Sequence, residues 1–211
     1  MNNIIGVRRQ EAGTIFVLLG GRLGNQFFRY AFAKALQVKL YPSYDIKVNV
    51  YCLSNLTEVQ KADNFWENSL KYFQLKDVEY INERHIRTRT LLQNAFHVLR
   101  NKIFRRIFPM RLLLSVDTKL LQPLCNKLGM YNPVSHAYIE PLKSSSRRII
   151  CDAYFENVCY FNDIRDVLLE EFTPIAAPLP QNLELLNRIQ HSESVCVTIR
   201  RGDFLSPQNI S

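Results

Sequence analysis

At 211 residues, 47% hydrophobic and 22% charged, the chain has the composition of a globular protein that can bury one core and begin a second domain, which excludes a disordered or fibrous one. Its net charge of +8 has a single address. From Arg84 to Val116 there is no Asp or Glu and there are eight cations, Arg84, Arg87, Arg89, Arg100, Lys102, Arg105, Arg106 and Arg111, while the other 19 Lys and Arg equal the 19 Asp and Glu. The opening stretch, Met1 to Gly13, is polar, and the apolar run behind it is too short to span a bilayer or to form the core of a signal peptide. We therefore expect a cytoplasmic protein with no signal peptide or transmembrane anchor. The five cysteines, Cys52, Cys125, Cys151, Cys159 and Cys196, are odd in number and show no Cys-x-x-Cys spacing. They are expected reduced and buried, with neither a disulfide framework nor a zinc site.

The first element is an apolar strand over 14–19, followed by Gly20-Gly21-Arg22-Leu23-Gly24-Asn25-Gln26 and a helix running to about Leu40, which Pro42 ends. Tyr44 to Tyr51 alternates, with Ile46, Val48 and Val50 on one face and Asp45, Lys47 and Asn49 on the other, as a half-exposed strand does. Strand, helix, strand gives a parallel βαβ unit. Residues 52–83 are less regular. They read either as a small packed helix or as a sugar-stacking surface with Trp66 as its platform. From about Thr90 to Phe108 the spacing predicts a helix with an apolar stripe of Leu92, Phe96, Leu99, Ile103, Phe104 and Ile107. Its basic character suits a peripheral contact with anionic membrane through residues 84–111, and also a core-packed helix with a solvated basic face, which is commoner. No base-reading motif accompanies the charge, so nucleic acid is not expected as a partner.

Residues 117–148 read as an irregular connection. Arg148-Ile149-Ile150-Cys151 reads as a buried strand leading into Asp152-Ala153-Tyr154-Phe155-Glu156-Asn157, and a helix follows to Phe172. Pro174, Pro178 and Pro180 mark a linker, a helix spans about Gln181 to Ile189, and Val195 to Ile199 reads as a last strand running into Arg200-Arg201-Gly202-Asp203-Phe204. The pattern as a whole is α/β.

Two loops carry chemistry. Gly20, Gly21 and Gly24 permit a close backbone approach to a ligand, a helix begins at once, and Arg22 supplies a fork of donors. The spacing is neither the dinucleotide fingerprint nor a P-loop. In the second loop, Arg200 and Arg201 stand at a strand's carboxyl end, where open α/β sheets bind ligands, and Asp203 can orient one of them.

Gly21-Arg22-Leu23-Gly24-Asn25-Gln26, the aromatic block from Ala153 to Asn157 with Tyr160-Phe161, and Val197-Thr198-Ile199-Arg200-Arg201-Gly202-Asp203-Phe204 together resemble three motifs, in order, of the α-1,2-fucosyltransferases of glycosyltransferase family 11. The resemblance implies a GT-B-type enzyme. Residues 1–176 would form a Rossmann-like, acceptor-side domain, and residues 177–211 a linker helix and the first strand of an incomplete donor domain. It implies inverting transfer of L-fucose from GDP-fucose to the 2-hydroxyl of a terminal galactose in a glycan, without a cofactor or metal, and the chain has no Asp-x-Asp triplet. Arg200 would neutralise the leaving diphosphate. Arg201, Gly202 and Asp203 would hold the donor, and Gly21, Arg22, Gly24, Asn25 and Gln26 would approach the fucose or the acceptor. The general base would be Asp203, with Glu156 the weaker candidate. Thr198 stands where the family commonly has His, and Glu156 where Gln is usual. The match ends one strand into the second domain, so weak or absent catalysis is expected of this chain alone. The competing readings are a non-catalytic relative that binds glycan or a partner, and a protein O-fucosyltransferase.

Overall fold

A computed structural model describes residues 13–54, 67–104, 106, 115–134, 137–195 and 197. The chain divides into two units, residues 1–175 and 176–211.

The first unit is built on a five-stranded parallel sheet of β1 (Thr14–Leu18), β2 (Asp45–Asn49), β3 (Val78–Ile81), β4 (Met130–Tyr131) and β5 (Arg148–Cys151), in the order β3-β2-β1-β5-β4. Every pairing is parallel, with Ile15 beside both Ile46 and Ile149. This is the Rossmann-like α/β arrangement expected. The strand order reverses at β1, which puts a crevice between the carboxyl ends of β1 and β5.

The helix after β1, α1 (Leu23–Leu40), covers one face of the sheet. Tyr30, Phe32, Ala33 and Leu36 pack against Ile15, Val17, Ile46, Val48, Ile149 and Cys151. On the outer side of α1, Ala31 and Ala35 meet Leu168 of α4 (Arg165–Glu171). Between the two helices Glu171, 1% exposed, accepts from the Tyr30 hydroxyl at 2.5 Å and pairs with Lys34 at 2.7 Å. The opposite face of the sheet holds the smaller cluster of Phe16, Leu18, Cys125, Met130 and Ile150. The expected alternation in β2 holds for Ile46 and Val48, but Asn49 is fully buried. Its amide donates to the Glu83 carbonyl and accepts from the Tyr51 and Glu83 N–H groups, tying the end of β2 to the segment after β3.

Three expectations are corrected. The segment 52–83, read as irregular, contributes β3. The segment 117–148 contributes α3 (Gln122–Lys127) and the two-residue edge strand β4, too short to show as a pattern. Of the helix expected over Thr90 to Phe108, the described residues are not one regular α-helix and their apolar stripe does not pack wholly inward. A helix α2 (Leu91–Val98) is closed at its start by a reciprocal capping box of Thr90 and Gln93, and it widens into π-type turns over Leu99–Phe104. Its fully buried residues are Gln93 and Arg100, Phe96 packs partly against the cluster of Phe16, Leu18 and Ile150, and Leu92 and Leu99 face out.

The edge strand explains that inversion. The carbonyls of Gly129 and Tyr131 accept from β5. The alternate carbonyls, of Leu128, Met130 and Asn132, point away from the sheet and need other donors. Gln93 Nε2 serves Leu128, Gln122 Nε2 serves Met130, and Arg100 Nη1 serves Asn132, at 2.8, 3.3 and 2.8 Å. Side chains of α2 and α3 thus close the edge that β4 leaves open.

In the second unit a 3₁₀ turn at Pro180–Asn182 leads into α5 (Leu183–Gln190). Val195 and Val197, expected in a buried strand, have no strand pairing and are 89% and 76% exposed. Within this unit no described residue offers a strand for them to pair with. Cys125 and Cys151 are buried as expected. Cys52 and Cys159 are exposed, because they sit on single outward turns beyond strand ends. Among the described residues no helix is long and apolar enough to cross a membrane.

Candidate functional site

A cleft of about 320 Å³ opens at the carboxyl ends of β4 and β5, lined by Arg29, His97, Asn101, Asn132, Asp152, Tyr154, Glu156 and Tyr160 among others. Each element delivers its group for a local reason. Asn132 and Asp152 are the residues at which β4 and β5 stop. Arg29 comes from the buried side of α1, and His97 from the last turn of α2.

Arg29 is the centre of the arrangement. Its Nη1 donates to the carbonyl of Leu18, the last residue of β1. The same nitrogen lies 3.9 Å from Asp152 Oδ1, and the guanidinium carbon lies 4.7 Å from the centre of the Tyr154 ring. A Cβ on Gly20 would sit in ordinary contact with it, 3.7 Å from Arg29 Nη2. One side chain therefore ties the end of β1, the end of β5 and the aromatic block. Asp152 Oδ2 takes a second guanidinium, from Arg89 at 2.8 Å. Both arginines are about nine-tenths buried. Among the described residues, neither Nε has a hydrogen-bond partner. One carboxylate is thus shared between two buried guanidinium groups, and Glu156 adds a second carboxylate to the cleft.

Around this trio the histidines are held neutral. Burial, then the nearby Arg89 charge, pushes His97 down to about 4, with Asp152 opposing. Burial also lowers His85, whose Nε2 lies 3.3 Å from Cys52 Sγ. That Cys–His contact is not an activated nucleophile, because burial raises the thiol rather than ionising it. The backbone is strained beside the cleft. Phe155 has φ +56°, a region that bulky residues avoid, and its ring is stacked on Phe32 at 3.7 Å. The stacked ring anchors the turn from which Tyr154 and Glu156 line the cleft.

The residues expected from the glycine loop divide. Gly21 has φ +78°, and a Cβ on it would lie 2.5 Å from Asn25 Nδ2, so the turn requires glycine there. Arg22 occupies the N-cap of α1 in an extended conformation and Gly24 is open, with nothing within 4 Å of its Cβ position. Gln26 is fully buried. Its Nε2 donates to the Gly21 and Glu67 carbonyls at 2.9 and 2.7 Å, and its Oε1 accepts from Ser69 N–H at 2.9 Å. Both amide hydrogens are spent, so Gln26 shapes the loop. Arg200, Arg201, Gly202, Asp203 and Thr198 lie outside the described residues, as does Trp66.

Arg29, Arg89, His97 and Asn132 were not singled out in the sequence. Arg29 alone left a signal, a charge three residues from both Gln26 and Phe32 on the buried side of α1. The others meet only through the fold.

Residues 126–211 match the family model described as Glycosyl transferase family 11. No match was found among curated proteins or among solved structures. The matched stretch contains Asn132, Asp152, Tyr154, Glu156 and Tyr160 of the cleft and the whole of Arg200 to Asp203, whereas the glycine loop and Arg29 precede it.

Proposed function

We propose that the chain is a family 11 glycosyltransferase that moves L-fucose from GDP-fucose to the 2-hydroxyl of a terminal galactose, with inversion and without a metal. The observation that carries this reading is the cleft itself. The family-matched stretch supplies one wall, and Arg29 of α1 with His97 and Asn101 supplies the other.

The cleft is the acceptor side. Carboxylate, amide and tyrosine groups suit sugar hydroxyls, and Tyr154 and Tyr160 give apolar surface for a ring. In the reaction the bond from fucose C1 to the GDP oxygen breaks, and the galactose O2 attacks C1 from the opposite side. Its proton passes to a carboxylate. Asp152 is committed to Arg29 and Arg89, so it orients the cleft and the base is another group. Asp203 is the base we favour, with Glu156, which lines the cleft, the alternative. Arg200 offsets the charge that develops on the departing diphosphate, Arg201, Gly202 and Asp203 hold the donor, and Arg22 and Asn25 approach the fucose or the acceptor.

The test is incubation with GDP-fucose and lactose, with the product read by mass spectrometry and its linkage by NMR. Any product that this chain forms should be a 2-linked fucoside, in the same yield with a chelator present. Arg200→Ala should lower kcat/KM by about a hundredfold, roughly 3 kcal/mol of transition-state stabilisation. A loss below about threefold would remove Arg200 from the mechanism.

A further inference from the structure

An amphipathic helix ordinarily turns its apolar stripe inward. In α2 the buried residues are Gln93 and Arg100, at 1% and 2% exposure, because they serve the carbonyls of the β4 edge. The outward stripe is apolar. Leu91 is 90% exposed, Leu92 63%, Val98 47% and Leu99 39%, with Ala95 between them. Positions 91, 95, 98 and 102 follow one another at helical spacing, so these side chains share one face. Ile86, 64% exposed, lies just before them on the single turn His85–Thr88. Single exposed leucines need no explanation, but a contiguous patch does.

What surrounds the patch identifies its partner. Arg84, Arg87, Lys102 and Arg106 are exposed along the same segment, and no acidic residue occurs from Arg84 to Val116. A nucleic acid would engage the cations and leave the leucines without a partner. A second copy docked about a twofold axis would set cations against cations. An anionic lipid surface takes both at once, with the leucines at the acyl boundary and the cations among the phosphates. We propose that the outward face of α2, with Ile86, docks the protein on an anionic membrane surface. The inference does not depend on the sugar chemistry, since lipid binding is read whether or not fucose is transferred.

The experiment is flotation of the full chain with vesicles of phosphatidylcholine, with and without phosphatidylserine. Three proteins are compared, the wild type, a Leu91→Ser/Leu92→Ser variant and an Arg84→Gln/Arg87→Gln variant. The wild type should float only with phosphatidylserine, and added salt should weaken it. The leucine variant should lose about tenfold in vesicle affinity, and the arginine variant should show a shallower salt dependence. Flotation independent of phosphatidylserine overturns the proposal, as does a leucine variant that binds like the wild type. Leucine-dependent dimerisation in lipid-free sedimentation would assign the face to a second copy and overturn it as well.

Discussion

α1 and α2 both pack on the same sheet, α1 across its face and α2 along its β4 edge. α1 lays Phe32, Ala33 and Leu36 over Ile15, Val17, Ile46 and Val48, so what it gains is area removed from water. α2 brings Gln93 and Arg100 to the carbonyls of Leu128 and Asn132, so what it gains is satisfaction of polar groups that the short strand leaves bare. A sheet's face is closed by any apolar group of the right volume. Its edge is closed only by donors at the right carbonyls. The same helical period thus places apolar residues inward at the face and outward at the edge.

The largest test of this contrast falls on the face. Phe32 is stacked on Phe155 at 3.7 Å and meets Tyr131 and Tyr160 edge-on at 5.8 and 5.0 Å. Phe32→Ala should cost about 3–5 kcal/mol in denaturant unfolding. Because Phe155 also anchors the strained turn at the cleft, that variant should lose acceptor binding even where it remains folded.

At the edge, Gln93→Leu keeps the volume and adds apolar surface, which would stabilise an ordinary inward position. Here it should destabilise by about 1–3 kcal/mol, because the Leu128 carbonyl loses its side-chain donor and the Arg148 carbonyl keeps only that of Ser146. A neutral or stabilising result would show that water can serve those carbonyls and that Gln93 does not define the edge.

This contrast also governs what could be read in advance. β1, α1, β2 and β5 announced themselves because their apolar residues follow the period of the element and face the core. The apolar stripe on the basic segment was visible too, but its period left open whether it faces the core or a surface, and Leu92 and Leu99 lie outward while Phe96 packs partly inward. No rule of period reveals that an edge strand needs donors, and β4, at two residues, has no period at all. At the site, Gly21 was legible because a turn with φ +78° demands glycine. Asp152, Arg89 and His97 were not, since they are separated by as many as 63 residues and become neighbours only when β5 and α2 are in place.

A smaller effect comes from the residue where edge and cleft meet. His97 is lowered from its usual 6.5 to about 4 by burial and by Arg89. The unfolded chain takes up this proton near pH 6.5, whereas the folded chain takes it up only near 4. Between those values acid favours the unfolded state, so stability should fall as the pH drops through that window. His97→Asn, which cannot protonate there, should lose less on acidification. A slope remains from His85, which is lowered in the same sense. Identical slopes in the variant and the wild type would mean that His97 titrates normally in the fold.

The smallest expected effect separates edge from face most sharply. If α2 were an ordinary face-packing helix, Leu91 and Leu92 would belong to its buried stripe, and replacing both by Ser would cost several kcal/mol. With 90% and 63% of their surfaces already in water, there is little burial to lose. Serine also satisfies its own hydroxyl with solvent. Leu91→Ser/Leu92→Ser should therefore change unfolding stability by less than about 0.5 kcal/mol. That near-silence, set against the cost of Gln93→Leu one position further on, would show that the polar side of α2 is the structural one and its apolar side is free for a partner. A large loss would place the leucines inside and return α2 to the rule that α1 obeys.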